Sequence, residues 1–154
     1  MIQKQNDKKE QVKEFKLKSL MIDFDEYIKI FILPQIPAGF AGLREDIRKS
    51  LDEAWSEVFF AAGTTKRPRQ MHLLALRVNL AKVEIYLQEI RDICYRGKEK
   101  KKLDNISARR FEVCAKKYSK VMELVWGWIK NENKALSAAK AANTAGLIEK
   151  EEMD

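Results

Sequence analysis

Apolar positions recur along most of this chain at alternating intervals of three and four, the period of one helix face. The pattern is clearest over residues 68–95, where Leu73, Leu76, Leu80, Val83, Leu87, Ile90 and Cys94 keep the rhythm without a break. Leu74, Ala81 and Ile85 are expected to broaden that stripe into a core face. Pro68 suits the first turn of such a helix, and Gly97 suits its end. Residues 43–62 predict another helix, with Ile47, Leu51, Ala54, Val58, Ala61 and Ala62 on one stripe, Trp55 and Phe59 widening it, and Gly63 as its C-cap. Residues 107–133 predict a third, from the N-cap Ser107 through Phe111, Cys114, Tyr118, Val121, Val125 and Trp128. The earliest helix is expected over residues 20–33, on Leu20, Phe24, Tyr27 and Phe31, stopped by Pro34 and Pro37.

Four such helices joined by short links must run antiparallel to their neighbours. The spacing near 3.5 suits packing at about 20°. The expectation is therefore an all-α protein, an antiparallel up-down-up-down four-helix bundle over residues 20–134. Residues 1–19 read as a basic extension, a frayed helix or a disordered arm, with six lysines against Asp7, Glu10 and Glu14. Residues 135–154 read as an Ala-rich, then acidic, disordered tail.

Charge changes this picture from a plain bundle to a basic one. The 154 residues carry 30 Lys and Arg against 23 Asp and Glu, a net +7. Residues 21–134 keep +6 of it, so the charge belongs to the bundle and not to its arm. A basic body favours a polyanionic partner, such as RNA or DNA or an acidic protein face. In an up-down-up-down bundle the first and third links share one end. That end gathers Arg44, Arg48, Arg96, Lys98, Lys100, Lys101, Lys102, Arg109 and Arg110, with Lys116, Lys117 and Lys120 following on the fourth helix. Phosphate contacts need only charge in such an arrangement. Lys66, Arg67, Arg69, Lys130 and Lys134 form a smaller basic group at the other end.

Candidate chemistry is sparse. His72 has no partner histidine for a metal, and no Glu-x-x-His pair, phosphate loop, nucleophile elbow or C-x-x-C occurs. Cys94 and Cys114 fall on apolar stripes and read as reduced, buried thiols. No enzymatic role, cofactor or metal is expected. Nor is a membrane span or an export signal, which leaves a cytoplasmic protein. Trp126 and Trp128, two positions apart, cannot both enter one core. With Trp55 they are the candidates for an interface with a partner or a second copy.

The order of these features over Phe24 to Lys130 resembles the Avd-type accessory proteins of diversity-generating retroelements. Those belong to a wider group of four-helix bundles that includes proteins encoded in 23S rRNA intervening sequences. The resemblance is carried by the proline link Leu33-Pro34-Gln35-Ile36-Pro37, by Ile47 to Trp55 with the ending Ala61-Ala62-Gly63, and by Asn79. The fourth helix adds the ending Val125-Trp126-Gly127-Trp128-Ile129-Lys130. Two features depart from the family. Ile36-Pro37-Ala38 stands where Phe-Pro-Lys is common, and Val83 to Gln88 lacks the family's repeated arginines. The resemblance implies a homopentamer that binds a reverse transcriptase and its template RNA or cDNA during mutagenic retrohoming. The wider group implies an alternative, an interaction scaffold with no nucleic-acid role.

Overall fold

A computed structural model describes residues 2–63, 66–96 and 106–153, and among them the side chains of 8, 9, 11–62, 68–95 and 106–145. The described residues are almost wholly helical and contain no strand. Four α-helices pack against one another: α1 (Ile2–Tyr27), α2 (Ala41–Gly63), α3 (Lys66–Arg96) and α4 (Ala108–Met153). α2 and α3 make the most extensive contact, while α1 and α3 each pack against both α2 and α4. α1 and α3 are therefore across the bundle from one another.

The expected boundaries at residues 20 and 134 fall inside helices. α1 is continuous from Ile2, and α4 runs on to Met153. The seam that α1 and the π-helical turn after it lay into the core is Leu17, Met21, Phe24, Ile28 and Ile32, all buried. This corrects the expected stripe. Only Phe24 of that stripe is fully buried. Leu20 and Tyr27 sit at its edge, and Phe31 is exposed.

α1 gives way to a π-helical turn at Ile28–Ile32, closed by the Leu33 N–H donating to the Ile28 carbonyl. Pro34 brings no N–H and cannot extend the helix, so the chain tightens into a 3-10 turn, Leu33–Gln35. A second 3-10 turn, Ala38–Phe40, leads into α2. At the start of α4, the Arg110 N–H donates to Ser107 Oγ at 3.4 Å, the expected N-cap contact at its long limit.

The α3 stripe is buried as expected from Leu73 to Cys94, and so are Ile47, Leu51, Ala54, Val58 and Ala61 of α2. Leu74 and Ile85 correct the reading: both are exposed, and Ala81 is only half-buried. At 100° per residue they point roughly opposite the core seam instead of widening it. Phe59 of α2 is likewise exposed. Cys94 and Cys114 are buried thiols. Burial pushes the Cys114 thiol from its ordinary value near 9 up to about 12, with Glu84 adding to the shift and Lys117 opposing it. Tyr118 is pushed up too, by burial first and then by its hydrogen bond to Glu84.

Candidate nucleic-acid interface

The end of α1 and the start of α4 meet, which brings part of the expected basic cap together. Arg110 Nη1 donates to the Phe31 carbonyl at 3.0 Å and its guanidinium lies 5.5 Å from the Phe31 ring. Two turns further along α4, Lys117 Nζ pairs with Asp23 at 2.6 Å and lies over Tyr27. Arg109 and Lys116 are exposed beside them. On α2, Arg48 is engaged by Glu45 at 2.8 Å, and Arg44 is half-buried. Arg96 ends α3, but its side chain lies outside the described residues, as do Lys98, Lys100, Lys101 and Lys102. Three of the expected cations are thus tied to partners within the chain, and surface pairs of this kind hold them only weakly.

The other basic group needs a correction. Arg69 does not face solvent. It is buried, pairs with Glu132 at 3.1 Å, and donates from Nε to the Ala61 carbonyl at 3.2 Å. Its guanidinium also lies 5.5 Å from the ring of Trp128. The residue joins α2, α3 and α4 from inside. Beside it, Gln70 of α3 donates to Asn133 of α4. His72 bonds Glu57 at 2.6 Å and stacks on Phe60. Lys66 and Arg67 have side chains outside the described residues, which leaves Lys130 and Lys134 exposed at this end.

The tryptophans divide as their spacing requires. Trp128 is 2% exposed and fills the core, whereas Trp126 is 39% exposed. Trp126 lies between two cations, Arg77 at 4.2 Å and Lys130 at 5.4 Å from its ring. Trp55 is half-buried against Phe59. Of the three interface candidates, Trp126 offers a solvent-facing ring and Trp128 belongs to the interior.

Between α1 and α4 runs a groove of about 460 Å³ that sequence reasoning missed. Lys13 and Lys16 line one wall, Lys120 the other, and Trp128 and Gly127 lie along its length; Glu123 is its one acidic residue. Gly127 sits within a helix, where glycine is less stable than alanine by about 1 kcal/mol. A Cβ there would meet nothing within 4 Å. No neighbour in the chain requires a glycine at this position. The chain matches no family model, no curated protein and no solved structure. Among the described residues no group of His, Cys, Asp and Glu is arranged to hold a metal ion, and no helix is long and apolar enough to cross a membrane.

Proposed function

We propose that this chain is an Avd-like accessory protein: a basic, self-associating bundle that binds a reverse transcriptase and its template RNA or cDNA. The observation that carries this reading is the α1–α4 groove, where three lysines face each other across a slot that Gly127 lines. A single strand needs such a slot to bring its phosphates to the lysines. The exposed Arg109 and Lys116 add positive charge on the helix that carries Lys120. The antiparallel up-down-up-down order belongs to the same reading. Arg69 meets Glu132 at the start of α3, and Tyr95 meets Phe111 at its end, which supports opposite directions for α3 and α4.

The experiment is co-purification. A reverse transcriptase and a template repeat should be encoded beside this chain, and the tagged protein should retain that enzyme together with RNA. If neither gene nor repeat lies nearby, the retroelement reading fails.

The second reading is the intervening-sequence type of bundle, a protein scaffold without nucleic acid. It is favoured by the pairing of Arg48 with Glu45 and of Lys117 with Asp23, which occupies cations of the expected cap. A chain that associates with itself yet retains no RNA at moderate salt would support it.

A further inference from the structure

The outward faces of α1 and α3 carry apolar seams that nothing among the described residues covers. On α3, Met71, Val78 and Ile85 are each more than half exposed, with Leu74 close behind and the small Ala81 completing the series. Their spacing is three, four, three, four, the rhythm of a helix that packs against another helix. The seam lies roughly opposite the buried stripe and extends about 21 Å at 1.5 Å per residue. On α1, Val12, Phe15 and Ile22 are exposed, and Ser19 fills the missing position of the same rhythm. Both seams are helical and both face away from the core. Because α1 and α3 are across the bundle from one another, the two seams face different directions.

We propose that copies of this chain associate through unlike surfaces, the outer seam of α3 on one copy packing against the outer seam of α1 on the next. Two features identify a second copy as the occupant. The first is fit: in an antiparallel pairing that sets Val12 against Ile85, the large Phe15 falls by the small Ala81 and the small Ser19 by Val78. The second is charge. Exposed Lys8 and Lys9 precede the α1 seam, and exposed Glu89 and Asp92 follow the end of the α3 seam. An antiparallel pairing sets those lysines beside those acids. A parallel pairing would instead set them at the start of α3, away from those acids. An α3 seam meeting its own copy would leave the α1 seam bare. Contacts between unlike surfaces repeat from copy to copy, giving a ring where the rotation closes. The inference rests on the self-association in the proposed function and not on its nucleic-acid part.

The test uses the full chain, light scattering after gel filtration, and two variants at exposed positions, Phe15→Asp and Val78→Asp. The wild type should exceed the 17.9 kDa of one chain. Each variant alone should fall to the mass of one chain, with helicity by circular dichroism unchanged. Mixed, they should form a one-to-one dimer, because Phe15→Asp keeps an intact α3 seam and Val78→Asp an intact α1 seam. If either aspartate variant loses helicity, Phe15→Ser and Val78→Ser replace them, with at least a tenfold weaker association expected for each. A wild type of single-chain mass overturns the proposal, as does a folded variant of wild-type mass. Two monomeric variants that fail to combine overturn the pairing of unlike seams. RNA retention is scored separately: its loss in a chain of unchanged mass counts against the nucleic-acid reading alone.

Discussion

Arg69 and Glu132, 63 residues apart, meet at 3.1 Å with side chains only 7% and 5% exposed. Burying the pair is costly, and its net contribution to stability is small or even negative. Removing one partner is different, because the other is then left charged and unpaired. Arg69→Ala is expected to destabilise the fold by about 3–5 kcal/mol. Replacing both residues by methionine should recover most of that loss. Urea midpoints of the single and double variants check this; a single variant as stable as wild type would show that the pair does not anchor α3 to α4.

Trp126 and Trp128 should separate in the same assay. Trp128→Ala removes a core ring and should cost about 3–5 kcal/mol. Trp126→Ala leaves the core intact and removes only a partly exposed ring between Arg77 and Lys130, so a loss below about 1 kcal/mol is expected. Equal losses would contradict their opposite orientations.

Gly127→Ala is expected to do two opposite things. Within a helix and with open space around the new Cβ, it should raise stability by about 0.5–1 kcal/mol. Because Gly127 lines the groove, the added methyl should weaken RNA retention. Thermal melts and filter binding on the same preparation measure both, and unchanged RNA affinity in the stabilised variant would detach Gly127 from the interface.

Alkaline pH should loosen the bundle. The folded Cys114 thiol ionises only near 12, against an ordinary value near 9, so folding favours the neutral form. Its contribution is complete below about pH 9 and is lost as pH rises through 12. Tyr118 acts in the same direction. Melting temperature should therefore fall above pH 9, less steeply in Cys114→Ala, and Cys114 should resist alkylation at neutral pH.

The helices were legible because burial in a bundle repeats locally: the three-four rhythm from Leu73 to Cys94 is the buried seam itself. Stripe width was not legible. Leu74 and Ile85 are apolar whether they face the core or a neighbouring copy, and the sequence alone does not distinguish the two. The α1 seam was misplaced by three residues because the lysines around Leu17 made that stretch look like a detached arm. The spacing of Leu17, Met21, Phe24, Ile28 and Ile32 carried the correct signal. The same misreading hid the groove, whose Lys13 and Lys16 lie in that stretch. Arg69 looked like its neighbours Lys66 and Arg67 because its partner, Glu132, is remote in sequence.

The most direct measurement is the salt dependence of RNA binding, with wild type compared against the triple variant Lys13→Glu, Lys16→Glu, Lys120→Glu. Each phosphate neutralised on a single strand contributes a slope of about −0.7 in log affinity against log salt. Engagement of the strand by these three lysines predicts weaker binding for the variant and a slope shallower by roughly 2. Wild-type affinity and slope in a variant of unchanged mass and helicity would contradict the groove as the nucleic-acid interface.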